Sequence, residues 1–161
     1  MKSVFIFCFL IICLNGNGFG QQIKPVDATW IKDMRKLKSD TVYVINFWAT
    51  WCKPCVTELP ELDKIKETYQ AKAVKVILVS NDMRKGIEQK LISFIRERHI
   101  KSSVYWMNEP DANSWINLVD SSWSGAIPAT WIIQPNTAFH FFNEGEVNFE
   151  QLKQVVDANV K

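Results

Sequence analysis

Cysteine is scarce in this chain of 161 residues, which contains four. Cys8 and Cys13 lie in an apolar run near the N-terminus, whereas Cys52 and Cys55 end the stretch NFWATWCKPC. If a signal peptide carries the first two away, the remaining two allow one bridge, which excludes a scaffold of several disulfides. That bridge would close a very small loop and constrain the unfolded chain little, so a purely structural staple is not favoured.

Histidine is scarcer still, and the chain has two, His99 and His140. A structural zinc site needs about four ligands, and neither histidine has ligand spacing to the other or to Cys52 and Cys55. We therefore expect no metal site and no cofactor beyond a redox-active disulfide. Transient copper binding by the two thiols stays open.

The sequence also lacks a strong excess of one charge. Its formal net charge of +2 gives no argument for nucleic acid or an acidic membrane surface as a partner. Hydrophobic residues make up 47% of the chain, which suits one globular domain with a core.

The N-terminal apolar run, residues 4–14, is too short for a membrane span, which needs about 20 residues. Lys2 precedes it and a stretch of small and polar residues, 15–20, follows it, the pattern of a secretory signal peptide. We predict a signal peptide at 1–20 and one domain at 21–161, secreted or periplasmic, with no stable span in the mature chain. A lipid anchor at Cys13 is less favoured because the bulky Ile12 precedes it.

Hydrophobic periodicity predicts strands that alternate with helices and a closing hairpin, which is an α/β architecture with a central mixed sheet flanked by helices. Asp27 is the expected cap of the first helix. The predicted strands are 41–49, 73–80, 104–107, 129–133 and 139–142, and the predicted helices start near 27, 53, 87, 112 and 149.

Cys52 lies where a predicted buried strand ends and a predicted helix begins, near the positive end of the helix dipole. We expect its thiol pKa to fall below the roughly 8.5 of a free thiol, with Lys53 adding positive charge. Cys55 follows one turn later on the same side, and Pro54 stiffens the first turn. This arrangement suits thiol-disulfide exchange. An exposed thiolate attacks a substrate disulfide, and a second thiol nearby resolves the mixed disulfide that forms.

Three further residues bear on the site. Glu58 lies three residues after Cys55 on the same helical face, where it is either a proton acceptor and donor or a solvated glutamate. Pro60 is expected to kink or break the helix. Pro128 starts a predicted buried strand and is a candidate for a cis bond.

Together, WCKPC after a buried strand, Pro60, and the segment IPAT at 127–130 before a strand resemble the thioredoxin fold over nearly all of residues 27–160. NFWATWCKPC, the segment CVTELP at 55–60 and a long insertion before the proline loop are similar to the TlpA/ResA group. These are bacterial envelope thiol-disulfide oxidoreductases, also described as redoxin or AhpC/TSA-like. An N-terminal extension precedes the fold.

The resemblance implies that Cys52 is the nucleophile and that Cys55 resolves the mixed disulfide, so that the two form the Cys52–Cys55 disulfide. It also implies that Glu58 assists proton transfer. It also implies a cis peptide at Pro128, with backbone groups of Ile127 binding an extended substrate segment. Asn46 occupies the position where cytoplasmic thioredoxins carry a buried aspartate. This departure argues against a general reductant built like thioredoxin.

Aromatic residues near the cysteines are candidates for a docking surface. Trp51, with Lys53 and Pro54, is placed among the substrate-binding residues, although Trp51 also suits shielding of the disulfide. Trp48 is assigned to packing. Trp123, in the loop before Pro128, is expected to be exposed if it helps a partner to dock.

The expected function is therefore reduction of protein disulfides, with an upstream thiol as electron donor. An oxidant or isomerase would use the same residues. A peroxidase is disfavoured because WCKPC lacks a Thr- and Pro-containing pocket around a peroxidatic cysteine. A non-catalytic metal-handling or docking module is the remaining alternative.

Overall fold

The computed structural model describes residues 23–83 and 86–161, so the predicted signal peptide lies outside the described residues. The described part contains six strands and five helices, with two short 3₁₀ turns at Ala112–Ser114 and Pro135–Thr137. The strands are β1 Lys24–Val26, β2 Val42–Trp48, β3 Val74–Ser80, β4 Ser103–Met107, β5 Ala129–Gln134 and β6 Phe139–Glu144. The helices are α1 Ala28–Lys36, α2 Lys53–Thr68, α3 Ile87–Glu97, α4 Ile116–Val119 and α5 Phe149–Asp157.

The strands form one mixed sheet in the order β1-β4-β3-β2-β5-β6. The first four strands in this order run parallel, β5 pairs antiparallel with β2, and β6 pairs antiparallel with β5. The predicted mixed α/β sheet and the closing hairpin are thus confirmed.

Strand β2 is central, and all seven of its residues are buried. Its side chains alternate between two core clusters, because successive residues of a strand point to opposite faces. Val44 packs with residues of α2, α3 and α5, whereas Phe47 packs with residues of α1, α4 and the loop before β5. Helices on both faces explain why this strand is an almost continuous apolar run.

The first helix begins as the sequence predicts, since the Asp27 side chain accepts hydrogen bonds from the backbone N–H groups of Thr29 and Trp30. The segment before this helix is itself a strand. Residues 24–26 pair with β4 as a sixth strand at the sheet edge, a pairing that no local pattern predicts.

The prediction that Pro60 kinks or breaks its helix is wrong in one respect, because α2 is continuous from Lys53 to Thr68. Pro60 is exposed, whereas its neighbours Leu59 and Leu62 are buried in the core. Packing of the inner face therefore holds the helix across the hydrogen bond that proline cannot donate.

Within the described residues, no helix is both long and apolar enough to cross a bilayer.

Candidate active site

The two cysteines of the WCKPC motif lie at the start of α2, directly after β2. They form a disulfide with an Sγ–Sγ distance of 2.02 Å and a Cα–Cα distance of 5.3 Å. Cys52 is the N-cap of α2, and its Sγ accepts a hydrogen bond from the Cys55 backbone N–H at 3.3 Å. The free N–H groups and the dipole of the helix N-terminus therefore point at Cys52, where they stabilise negative charge.

Access differs between the two sulfur-bearing residues. Cys52 is 6% exposed and Cys55 is fully buried. Trp51 beside them is 66% exposed, Lys53 is exposed and Pro54 is half-buried. A substrate group from solvent can thus reach Cys52 but not Cys55. The exposed indole ring of Trp51 lies next to Cys52 in the chain.

The Ile127–Pro128 peptide bond is cis, as the sequence predicts. It places the Ile127 carbonyl oxygen 3.8 Å from Cys52 Sγ. Ile127 is half-buried and Pro128 buried, and the Pro128 carbonyl accepts a hydrogen bond from Gly145 N–H at 2.8 Å. The loop before β5 therefore forms one wall of the surface around the disulfide.

Glu58 lies one turn beyond Cys55 on the inner face of α2, and it is 3% exposed. Its Oε1 accepts a hydrogen bond from Asn46 Nδ2 at 2.7 Å, and its Oε2 accepts one from Val147 N–H at 2.8 Å. The alternative of a solvated glutamate is excluded. This carboxyl group is a buried link between α2, β2 and the segment that enters α5.

Burial raises the pKa of Glu58 from 4.5 to about 7. The hydrogen bonds from Val147 and Asn46 act in the opposite direction, and the negative charge of Glu146 adds to the rise. A carboxyl group that titrates near neutral pH can both accept and release a proton under physiological conditions.

Asp82 is a residue of this region that the motif does not reveal. It is 3% exposed, and its carboxylate accepts hydrogen bonds from Thr50 N–H at 2.9 Å, Thr50 Oγ1 at 2.7 Å and Ser80 Oγ at 2.8 Å. These bonds fix the turn that ends in Trp51 and Cys52. The sequence signal is a carboxylate directly after the buried strand β3, the neighbour of β2.

Replacement of Asp82 by alanine is expected to lower the free energy of unfolding by about 2–3 kcal/mol, because the Thr50 donors lose their acceptor. Urea denaturation of the oxidised protein measures this loss. Asp111→Ala is the control, since Asp111 caps an exposed 3₁₀ turn and its loss is expected to cost about 1 kcal/mol or less. An equal loss of unfolding free energy in the two variants would show that the hydrogen bonds of Asp82 contribute no more to stability than an exposed cap.

Trp123 does not meet the condition for a docking residue, because it is buried. It is 4% exposed, packs against Phe47, Trp115 and Phe142, and donates a hydrogen bond from Nε1 to the Ala126 carbonyl oxygen at 2.8 Å. Its apolar neighbours cover the ring, and the loop itself satisfies its N–H. Trp48 is fully buried, as predicted.

The two histidines lie apart from the cysteines in their contacts. His140 binds Trp131 and Asp120 through its two ring nitrogens, and His99 lies at the end of α3 with a positive φ of 53°. In residues 23–83 and 86–161, no group of three or more His, Cys, Asp or Glu side chains is placed to hold a metal ion.

The described fold, a mixed sheet whose central strand runs into a CxxC helix beside a cis-proline strand, is the thioredoxin fold. Two solved structures share it. The thioredoxin-related protein of Neisseria meningitidis serogroup B has a TM-score of 0.66 at 21% identity, over 78% of this chain and 89% of that chain. A secreted thiol-disulfide isomerase of Corynebacterium glutamicum has a TM-score of 0.58 at 21% identity, over 75% of this chain and 70% of that one.

The AhpC/TSA family pattern matches residues 24–139, and the chain belongs to that family. Among curated relatives, the thiol-disulfide oxidoreductase ResA of Oceanobacillus iheyensis is 31% identical over 110 residues, which are 68% of this chain and 53% of the relative. The chain thus matches about half the length of that relative. The expected likeness to the TlpA/ResA group is confirmed.

Proposed function

We propose that this protein is an exported thiol-disulfide oxidoreductase that acts on protein disulfides through Cys52 and Cys55. The observation that carries the proposal is the Cys52–Cys55 disulfide at the N-terminus of α2, with Cys52 the more accessible member and 3.8 Å from the Ile127 carbonyl oxygen. ResA, to which the chain is similar, is a thiol-disulfide oxidoreductase by name.

In the reduced protein, the Cys52 thiolate attacks one sulfur of a substrate disulfide. A Cys52–substrate disulfide forms, and the other substrate sulfur leaves as a thiolate that takes up a proton. Cys55 then gives its proton to the Glu58 carboxylate and attacks Cys52 Sγ, which releases the second substrate sulfur as a thiolate. The substrate gains two electrons and the protein becomes the disulfide, which an upstream thiol donor reduces again.

The other candidate residues bind the substrate segment. The Ile127 carbonyl oxygen lies 3.8 Å from Cys52 Sγ, so backbone groups of Ile127, next to Pro128, are the proposed partners of an extended substrate chain. Trp51 offers a large apolar contact, and Lys53 and Pro54 form the adjoining rim. Aromatic residues that are exposed next to a reactive centre are typical anchors of protein partners.

Export and direction are parts of the same proposal. Export rests on the predicted signal peptide, and it agrees with the secreted protein of Corynebacterium glutamicum that shares the fold. Reduction is favoured over oxidation on the likeness to the TlpA/ResA group. A lipid anchor at Cys13 is the less favoured form of export.

The reduction potential of the Cys52–Cys55 couple tests both chemistry and direction. It is measured from tryptophan fluorescence in defined thiol buffers, with Trp48 and Trp51 as neighbouring reporters. A potential near the roughly −270 mV of thioredoxin supports a reductant, and one near roughly −120 mV makes the protein an oxidant. Absence of any reversible couple would overturn the proposal in favour of a docking or metal-handling module.

A further inference from the structure

Asn46 is a fully buried amide on β2 that contacts the Glu58 carboxyl group. Its Nδ2 lies 2.7 Å from Glu58 Oε1 and 3.0 Å from Thr130 Oγ1, and 3.4 Å from the Ala129 carbonyl oxygen. Its Oδ1, equally buried, has no hydrogen-bond partner. One end of this amide is therefore fully engaged and the other end is free.

We propose that Asn46 is the positioning residue of the Glu58 carboxyl group: its side chain holds Oε1, and its amide can present either nitrogen or oxygen to match either protonation state. The inference rests on the proposed function, in which Glu58 exchanges a proton with Cys55. It concerns a residue that touches neither sulfur and acts through the carboxyl group alone.

The sheet register fixes Asn46 in this place. Asn46 and Thr130 are direct partners across the antiparallel pair of β2 and β5, so their side chains lie on the same face. Glu58 reaches this face from α2, and Thr130 lies two residues after the cis-proline, Pro128. Asn46 thus joins the CxxC helix to the strand that carries the substrate-binding loop.

The hydrogen-bond inventory shows why an amide suits this place. The ionised carboxylate accepts from Asn46 Nδ2 at one oxygen and from Val147 N–H at the other. A backbone N–H can only donate, so the Val147 hydrogen bond favours an unprotonated Oε2 and a proton on Oε1, beside Asn46. There it meets an N–H₂ group, and donor faces donor.

A half-turn of the amide removes this conflict, at the cost of the contacts of Nδ2 with Ala129 and Thr130. It brings Oδ1 to face Oε1, where the oxygen accepts the carboxyl O–H, and the Thr130 hydroxyl can turn to donate to the same oxygen. The unpartnered Oδ1 is the group that gains partners when Glu58 is protonated. A leucine at this position can form no hydrogen bond to Glu58, and an aspartate can present only oxygen atoms to it.

The charged and polar groups that face Glu58 are consistent with such a role. The negative charge of Glu146, in the segment before α5, opposes ionisation, and so does burial. Hydrogen bonds from Val147 N–H and Asn46 Nδ2 favour ionisation. Cys55 lies one turn before Glu58 on the same helix, and Thr130 of β5 contacts Asn46. Asn46 is the adjustable member, because the Val147 donor belongs to the backbone.

The test compares Asn46→Leu and Asn46→Asp with the wild type. The Glu58 carboxyl is titrated by ¹³C NMR in the oxidised protein, with its signal assigned by Glu58→Gln, and the pH profile of disulfide exchange is recorded. Asn46→Leu is expected to raise the pKa of Glu58 by about one unit, which makes the ionised fraction about tenfold smaller below that pKa. Asn46→Asp is expected to give a coupled titration in two steps, with the higher step above that of the wild type.

Gln134→Leu is the matched control, because it also replaces a buried amide by leucine, at the far end of β5, where Gln134 binds Thr137 and Asp40. It is expected to lower stability and leave the Glu58 titration and the pH profile unchanged. If Asn46→Leu does not fold, Asn46→Asp decides, since it keeps the shape of the side chain. An unchanged Glu58 titration in every Asn46 variant that folds overturns the inference and leaves Asn46 a core residue.

The two proposals fail in different ways. If the wild type shows no reversible Cys52–Cys55 couple, the proposed function fails, whatever the Glu58 titration shows. If the couple and the exchange activity are present but the Asn46 variants titrate like the wild type, the function stands and this inference alone fails.

Discussion

Replacing Cys52 by serine is expected to lower the rate of disulfide exchange by at least about 1,000-fold, because the variant loses the nucleophile and the fully buried Cys55 cannot take its place. The rate is measured as reduction of a model protein disulfide by the pre-reduced protein. The fold should persist, since the disulfide closes a very short loop.

Cys55→Ser is the matched variant, and it should behave differently. Its Cys52 still attacks, but no thiol resolves the product, so a mixed disulfide with the substrate protein accumulates. Non-reducing electrophoresis and intact mass detect this species, which should vanish in the double variant Cys52→Ser, Cys55→Ser. Exchange at the wild-type rate in either single variant would contradict the assigned roles.

The stability of the protein is expected to fall as the pH rises from about 4.5 to about 7, by roughly 3 kcal/mol. The pKa of Glu58 is raised from 4.5 to about 7 in the folded state, so across this window the folded protein keeps a proton that the unfolded chain has released. The contribution of Glu58 to stability is therefore fully present below its pKa in the unfolded chain. It is lost as the pH rises through its pKa in the folded protein. Glu58→Gln should remove this slope in urea denaturation series.

Glu61→Gln is the control for this prediction. Glu61 lies one turn further along α2, is half-buried, and accepts a hydrogen bond from Phe149 N–H at 3.0 Å. Its replacement should leave the slope that Glu58 causes in place. A Glu58→Gln variant with the slope of the wild type would show that burial does not hold this carboxyl in its neutral form.

The elements nearest the site are the ones that the sequence predicts best. Strand β2 and helix α2 follow from a long apolar run and a clear helical period, and both lie where they are expected. The cis peptide at Pro128 is also present, as the resemblance to the thioredoxin fold implies, whereas the residues around it by themselves make Pro128 only a candidate. In these elements the hydrophobic pattern and the tertiary contacts favour the same structure, so the pattern alone is sufficient to predict it.

The contacts that tune the site are less accessible to sequence reasoning. Asn46 and Thr130 meet only through the register of β2 with β5, and Val147 reaches Glu58 from a segment 89 residues further along the chain. The burial of Trp123 depends on Phe47, Trp115 and Phe142, which come from three separate parts of the chain. Long-range pairing decides these features, and periodicity carries no information about it.

The hydrogen bond from Val147 to Glu58 also has a consequence for biosynthesis. At roughly 5–20 residues per second, a ribosome needs about 4–18 s to add the 89 residues that separate the two. Until the segment that carries Val147 has been made and has docked, Glu58 therefore lacks one of its two hydrogen-bond donors. Helix α2, which carries Cys55 and Glu58, is thus synthesised before the segment that completes the surroundings of Glu58.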